Sequence, residues 1–406
     1  MRTLLVLNHF AAPRGAPGGT RHVELADRLT GWRCTIVAAD RNYFTREVQP
    51  TREVQPRDGA RPTSTRYRTV RTAPYSGSGL TRILNWASYA AGAFVAGLGG
   101  ARPDVVYASS PHLLTGLTGW ALARLRRAAF VLEIRDLWPR VLVDMGQLRA
   151  GSLTHRLLRA VETFLYRHAD AVVVLADGVR RVLETEESVP AGRIVCVPNG
   201  ADPADFDPPA SREELRRELG LTGFVVAYTG AHGPANGLDL VLDAAEKLAN
   251  ELPEVCFLLV GDGGVKAKLV EQARARHLDN VVFRDPVAKD RMAALLGAVD
   301  VGLHVLADVE LFRYGVSPNK LFDYLAAGLP VITNTPGEVS GIVADAGAGV
   351  CCEPAGIADA VRELVAAGPE QRARWSAAGR DYMTRTRSRT ALGGRLQELL
   401  DGLSRS

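Results

Sequence analysis

No apolar run in this 406-residue chain is long enough to cross a bilayer. The longest, Ile83 to Leu98, is interrupted by Asn85, Ser88, Gly92 and Gly97, short of the roughly 20 residues a spanning helix needs. The opening Met1-Arg-Thr-Leu-Leu-Val-Leu-Asn8 is too short in apolar residues for a signal peptide. Cysteine is scarce. Cys34, Cys196, Cys256, Cys351 and Cys352 are odd in number, lack metal-ligand spacing and mostly lie in or beside apolar runs. Small buried hydrophobes in a reducing compartment are expected. No G-x-G-x-x-G follows the first apolar run; Asn8-His-Phe-Ala-Ala-Pro13 stands there, and Gly261-Asp-Gly263 lies far downstream, which argues against a dehydrogenase. No Asp-x-Asp stands at a strand end, so no metal site is expected. The expected location is cytoplasmic.

What is present is globular: 47% hydrophobic and 23% charged residues, in a length that suits two domains of roughly 200 residues each. Short apolar runs alternate with helical patterns throughout. Leu4–Leu7, Thr35–Ala38, Val105–Ala108, Phe130–Ile134, Ala171–Leu175 and Ile194–Val197 read as buried strands. His22–Leu29, Leu80–Leu98, Leu113–Arg126 and Leu153–His168 read as helices between them. A second strand series follows at Phe224–Tyr228, Val255–Val260, Val281–Phe283, Val301–Val305 and Val331–Thr333. Strands buried on both faces with intervening helices imply parallel sheets and right-handed crossovers, and two such series imply two Rossmann-like domains. The proline- and acid-rich Asp202–Ser211 reads as the linker. The expected division is a domain over 1–200, a linker over 201–215 and a domain over 216–370.

The net charge of +4 is unevenly spread. From Arg41 to Arg71 there are eight arginines against three acids, which favours an anionic partner, either a phosphorylated acceptor or an acidic membrane surface, or else marks a solvated loop. The same stretch holds a perfect tandem repeat, Thr45-Arg-Glu-Val-Gln-Pro50 and Thr51-Arg-Glu-Val-Gln-Pro56. Two copies make no solenoid; a duplication in a surface loop accounts for them.

The most informative string is Gly315-Val-Ser-Pro-Asn-Lys320-Leu-Phe-Asp323-Tyr-Leu-Ala-Ala-Gly328-Leu-Pro330. It predicts a helix with Ser317 as N-cap and Pro318 at the first helical position. The free N–H groups and positive dipole end there suit an anion such as a diphosphate. Lys320 in the first turn is mildly unfavourable to the dipole unless an anion binds. Asp323, three residues on, shares its face, and a carboxylate there suits a cis-diol such as a ribose. Gly328-Leu-Pro330 ends the helix and leads into a strand.

This string resembles the C-terminal motif of the family-four retaining glycosyltransferases of GT-B fold, most closely the subgroup that builds aminosugar-containing polysaccharides. The resemblance continues in Asn8–Pro13, in Gly18-Gly19-Thr-Arg21-His-Val-Glu24, and in Glu133-Ile-Arg135-Asp136-Leu-Trp138-Pro139. It extends through Val197-Pro-Asn199-Gly200-Ala-Asp202, Tyr228-Thr-Gly230-Ala-His-Gly233, Val260-Gly-Asp-Gly263 and Val281-Val-Phe-Arg-Asp285. It implies two Rossmann-like domains whose parallel sheets face across a cleft, a last helix (371–406) crossing back to the first domain, and sugar transfer from a nucleotide diphosphate-sugar. A UDP-sugar is the first expectation and a GDP- or dTDP-sugar the alternative, without a metal or other cofactor. Two departures stand out. Gly315 occupies the place of the family's first motif Glu and Asp323 that of the second, while Ala231 and Asn236 replace its diphosphate-binding Arg and Lys.

The resemblance carries over the following roles. Asp136, Arg135 and Lys320 are the catalytic candidates. Gly18, Gly19, Gly230, His232, Gly233, Gly263, Arg284, Arg313, Gly315, Val316, Ser317, Asn319, Lys320 and Asp323 would bind the donor; Arg14, Arg21, Asn42 and Tyr43 would bind the acceptor. Arg135 and Asp136 could equally form a structural ion pair. With no carboxylate placed as a nucleophile, a front-face mechanism is expected. The acceptor is either a small molecule or lipid-linked, because the Leu80–Leu98 helix and the arginine-rich segment suit a peripheral membrane face. No nucleic-acid partner is expected. Two rivals remain: a nucleotide-sugar 2-epimerase, which the eight unclustered histidines disfavour, and a catalytically inactive sugar-nucleotide-binding module, suggested by the missing motif Glu.

Overall fold

A computed structural model gives the fold and describes residues 1–14, 16, 18–43, 47–49, 51–54, 65–75, 79–309, 312 and 315–403. The chain forms two compact units, one of residues 1–198 and 392–406, the other of 199–391. The first holds an eight-stranded sheet: β1 (Arg2–Leu7), β2 (Trp32–Ala39), β3 (Arg52–Val54), β4 (Thr65–Val70), β5 (Val105–Ser109), β6 (Ala129–Ile134), β7 (Ala171–Val174) and β8 (Ile194–Cys196). Its spatial order is β3-β4-β2-β1-β5-β6-β7-β8, parallel throughout except where β3 runs antiparallel to β4. The second unit holds β9 (Phe224–Thr229), β10 (Val255–Val260), β11 (Val281–Arg284), β12 (Val301–His304), β13 (Val331–Thr333) and β14 (Gly349–Cys351). They are all parallel and ordered β11-β10-β9-β12-β13-β14.

Counted within the second unit, that order is 3-2-1-4-5-6, the order of dinucleotide-binding sheets, whose ligands lie beyond the carboxyl ends of the strands where the order reverses. Here the reversal lies between β9 and β12. The first sheet reverses between β1 and β5. The strands Val105-Val-Tyr-Ala-Ser109 and Ala171-Val-Val-Val174 are buried along their whole length, because helices cover both faces.

The helices Leu80–Leu98, Leu113–Arg126 and Leu153–His168 lie where the periodicity predicts them. The first helix covers only Arg21–Ala26, shorter than the apolar pattern suggests. Three strands, β3, β4 and β14, escape the sequence pattern. β14 has only three residues, and β4 reads Thr-Arg-Tyr-Arg-Thr-Val, where Thr65 and Tyr67 are buried while Arg66 and Arg68 are exposed. An arginine-rich strand at a sheet margin buries one face, so composition alone looks like loop. β3 comes from the second copy of the tandem repeat, whose other residues lie largely outside the described ones.

The segment 201–215 is not a free linker. Ala201, Phe206 and Leu215 are buried in the second unit's core with Leu221, Val225 and Leu258, and Ser211 caps the helix Arg212–Leu219 with a reciprocal Ser211–Glu214 capping box. Residues 371–391 stay with the second unit. Leu392, Leu396 and Leu400 of the last helix instead belong to the core of the first, with Val23, Leu29 and Trp32. The cysteines are all free, yet only Cys34 is buried and Cys351 is exposed, because β14 is an edge strand. Among the described residues no helix is long and apolar enough to cross a membrane.

Candidate functional site

In the second unit, Lys320 stands on the first turn of the helix Asn319–Ala327, after β12 and beside the end of β9. Its ammonium donates to Tyr228 Oη at 2.7 Å and Asn236 Oδ1 at 3.2 Å, and it sits 4.0 Å from the Tyr228 ring centroid. A cation over an aromatic face gains from the ring quadrupole, but neither hydrogen-bond partner carries a charge. Desolvation therefore dominates and lowers its pKa to about 7. A part-buried ammonium held by neutral oxygens is well suited to meet a negative charge.

Around it the loops are tightly built. Gly230 (φ 145°) donates its N–H to Val260 O at 2.9 Å, and any Cβ there would meet Lys320 Nζ at 3.4 Å. At Gly261 a Cβ would lie 1.8 Å from Gly230 O, and at Gly263 2.4 Å from His232 O, so these glycines let two loops cross in contact. Gly233 precedes the turn Pro234–Asn236 that presents Asn236. Tyr324 Oη accepts from Thr229 N at 2.8 Å and so fixes the end of β9 to the Lys320 helix. Lys266 knits the neighbouring loop, donating to Gly261 O at 2.9 Å, Arg284 O at 3.1 Å and Asp285 Oδ1 at 2.8 Å.

Several expectations need correcting. Ser317 is not the N-cap: Pro318 holds that place without a side-chain cap bond. The Ser317 hydroxyl instead accepts from Asn199 N at 2.9 Å, and Ser317 O from Asn199 Nδ2 at 2.7 Å. The loop before the helix is thereby tied to the start of the second unit. Pro318 has no N–H, so Asn319, Lys320 and Leu321 supply the first free donors. His232 is fully buried and faces no open surface; burial, then the Lys266 charge, lower its pKa. Neither ring nitrogen has a hydrogen-bond partner among the described residues. The Arg284 guanidinium turns back to Leu219 O, because half-buried cations seek carbonyls, so only its backbone lies at the loop. Gly315 (φ 102°) is half-buried, Val316 packs on the core, Asn319 is exposed and Asp323 half-buried. Arg313 lies outside the described residues. Beside these loops a cavity of about 70 Å³ is lined by Leu306, Phe312, Asn334, Thr335 and Glu353.

In the first unit the centre is a carboxylate that sequence reasoning passed over. Glu133, fully buried at the end of β6, accepts from Tyr107 Oη at 2.6 Å, Ser109 Oγ at 2.7 Å and Arg21 Nη2 at 3.2 Å. His22 Nε2 lies 3.0 Å away. Burial alone would raise its pKa, but the Arg21 charge, then His22 and the Arg135 charge, outweigh that and hold it well below the ordinary range. Burial lowers the pKa of His22 against the pull of Glu133. Arg21 also donates to Pro198 O at 2.6 Å. It is a structural bridge and not an acceptor ligand, because a buried guanidinium needs all its partners. The signal was legible: a charged residue within the apolar run Phe130–Ile134.

The other acceptor candidates divide. Arg14 pairs with the buried carboxylate of Asp27, Asn42 is buried with its N–H on Glu47 O at 2.9 Å, and Tyr43 remains exposed, edge-on to Phe10. Gly18 is exposed at φ 103°, a Cβ on Gly19 would lie 2.5 Å from Phe10 O, and the helix that follows them has six residues. Arg135 N donates to Ser110 Oγ at 2.9 Å. Asp136 is exposed as a residue, yet crowding desolvates its carboxyl and raises its pKa against the pull of Arg135. Beyond the ends of β1 and β5 an aromatic cluster gathers. His9 Nδ1 is 2.8 Å from His112 Nε2, and Trp86 stacks on His112 at 5.1 Å and meets Trp138 at 5.6 Å.

Comparison with known proteins accords with this geometry. Residues 20–200 match the glycosyl transferase 4-like domain and residues 223–367 the glycosyl transferases group 1. The Escherichia coli K12 glycosyl transferase WcaI, assigned to colanic acid biosynthesis, is 29% identical over 304 residues, 72% of each chain. In fold, the chain is similar to the sucrose-phosphate synthase of Thermosynechococcus elongatus, with TM-score 0.77 and 18% identity over 99% of both chains. It is also similar to Anabaena HepE, solved in complex with UDP-glucose, with TM-score 0.70 and 16% identity over 99% of this chain and 100% of that one. With a matching family model on each unit and two parallel sheets of the GT-B kind, the chain belongs to the family-four type of glycosyltransferases and is a glycosyltransferase enzyme.

Proposed function

We propose that the chain moves a sugar from a nucleotide diphosphate-sugar to an acceptor hydroxyl with retention of anomeric configuration, in bacterial glycan or secondary-metabolite biosynthesis. The observation that carries this is Lys320, a desolvated ammonium at the topological switch point of the second sheet, held by neutral Tyr228 and Asn236. A diphosphate there would restore its charge, aided by the N–H groups of Asn319, Lys320 and Leu321. That arrangement meets the leaving charge without a metal ion. It also supplies from Tyr228, Asn236 and Lys320 what the family takes from the residues replaced by Ala231 and Asn236. Asp323 on the same helix would take the ribose hydroxyls.

UDP is the first base, since a neighbour in fold was solved with UDP-glucose; GDP and dTDP are the alternatives. In the front-face step the bond from C1 to the diphosphate oxygen breaks as the acceptor oxygen bonds C1 from the same face, and its proton passes to the departing phosphate. Asp136 and Arg135 are proposed to orient the acceptor, which is a small molecule or a lipid-linked glycan.

Calorimetric titration of UDP, dTDP, GDP and ADP into the wild type and the Lys320→Met and Asp323→Ala variants tests the donor site. One nucleotide should bind selectively, and more weakly in both variants. The anomeric NMR coupling of the product tests retention; an inverted product would refute it. Gly315 in place of the motif Glu favours a second reading, an inactive binding module, which transfer or donor hydrolysis above background would exclude.

A further inference from the structure

The helix Leu80–Leu98 starts after Gly79 with no side-chain cap and no acidic residue in its first turn, and Arg82 stands in that turn. A cation there adds to the positive end of the helix dipole, which is unfavourable unless something negative lies nearby. Arg82 is half-buried. Its guanidinium lies 5.5 Å from the ring centroid of Trp86 and 5.9 Å from those of Tyr43 and Tyr75. Among the described residues this guanidinium makes no hydrogen bond or ion pair. Arg14, Arg140 and Arg159 of the same unit each pair with a carboxylate. Aromatic faces attract a guanidinium, but they leave its in-plane N–H donors without acceptors. The rings thus hold the Arg82 charge in place and leave its donors open.

The surrounding rings come from separate loops at one end of the sheet. His9 follows β1, Tyr43 follows β2, Tyr75 follows β4, His112 follows β5 and Trp138 follows β6. These strands are parallel, so all five loops leave carboxyl ends, around the reversal between β1 and β5 where such sheets take their ligands. The histidines add no charge: burial, then Arg82, lower the pKa of His9 to about 3, and burial above all holds that of His112 well below its ordinary value. Tyr43 is 37% exposed and Trp86 and Trp138 are half-buried, so ring surface is within reach beside the cation. A ring face suits the C–H side of a sugar, and the edge of a guanidinium suits the paired oxygens of a carboxylate or phosphate.

We propose that Arg82 selects an acceptor sugar that carries an anionic group, either a carboxylate or a phosphate ester, with Tyr43 offering its ring to the sugar. Resting on the sugar-transfer reading, this narrows the acceptor from any hydroxyl compound to an acidic sugar or a sugar phosphate. Arg82 is then a specificity-determining residue. Its fork takes the anion, and the positive end of the helix behind it adds to the attraction.

Tryptophan fluorescence of the full chain, with UDP present to occupy the donor site, tests this by titration with glucose, glucuronate and glucose 6-phosphate. One of the anionic sugars should bind at least about tenfold more tightly than glucose, the worth of a charge-assisted contact. Tighter glucuronate assigns a carboxylate, and tighter glucose 6-phosphate a phosphate ester. Arg82→Gln should abolish the preference, and Arg82→Lys, which keeps the charge without the fork, should retain a several-fold part of it. Tyr43→Leu should weaken all three sugars alike. No binding of either anionic sugar, glucose bound as tightly as they are, or a preference that survives in Arg82→Gln would each overturn the proposal. Lys320→Met keeps the two readings apart, because the preference should persist in it. UDP binding without the preference sinks the Arg82 assignment alone, and the preference without UDP binding sinks the donor site alone.

Discussion

Replacing Lys320 by Met separates what the ammonium does for the unliganded protein from what it does for a donor. Its pKa falls from 10.5 to about 7 on folding. At about 1.36 kcal/mol per unit the charged form is disfavoured by at most about 5 kcal/mol, and residual solvent access brings this nearer about 2–3 kcal/mol. Between pH 7 and 10.5 the unfolded chain holds the proton and the folded one does not, so stability rises with pH across that window. The penalty is full below pH 7. Met removes it, offset by about 1 kcal/mol for each lost hydrogen bond to Tyr228 and Asn236. The variant should therefore match wild type or exceed it by up to about 1 kcal/mol at about pH 6.5, a balance that turns against the variant as the pH rises toward the unfolded-state pKa. Thermal unfolding across this range reads it directly. The same variant should bind the nucleoside diphosphate roughly ten- to a hundredfold more weakly, the worth of one charge-assisted contact. Wild type at about pH 8, where Lys320 is mostly neutral, should take up close to one proton on binding, visible as a buffer-dependent calorimetric enthalpy. No proton uptake, together with unchanged affinity and a variant destabilised at every pH, would refute the reasoning.

Glu133→Gln should cost about 3–5 kcal/mol in denaturant unfolding, because it leaves the Arg21 guanidinium buried without its counter-charge. Since the folded pKa of Glu133 lies below its ordinary value, its stabilisation is present above about pH 4.5 and lost as pH falls through the folded value. The variant's acid unfolding should be correspondingly shallower. Ser317→Ala removes the acceptor for Asn199 N and should cost about 1 kcal/mol with a several-fold weaker nucleotide affinity. Asn199→Ala keeps that backbone donor and removes instead the Asn199 Nδ2 bond to Ser317 O, so it should cost about another 1 kcal/mol, checked against the double variant in a double-mutant cycle. Gly261→Ala would drive a Cβ to 1.8 Å from Gly230 O and should destabilise by about 3 kcal/mol or more, whereas at Gly264 nothing lies within 4 Å of a Cβ and the change to Ala should be nearly silent.

Legibility followed the range of the forces involved. The strands of continuous Val, Ile and Leu and the 3.6-residue patterns of the long helices are local signals, and so is Gly328, which closes its helix at φ 72° as expected. The strand β4 was not legible, because a margin strand with Arg on one face has the composition of a loop. Ser317 shows the same limit at the site. As a sequence it is a good N-cap, but Asn199, 118 residues earlier, competes for its hydroxyl and wins.

By itself the sequence determined the fold class, the two alternating strand series and the string around Lys320 on which the proposed phosphate site rests, since each depends on residues within a few turns of one another. The tertiary structure decided which charges remain available. It buried Arg21 on Glu133 and turned Arg284 to Leu219, but it left Lys320 hydrogen-bonded to neutral partners. Whether a cation is a bridge or a binding group depends on what the fold brings within about 3 Å of it, and no local pattern carries that distance.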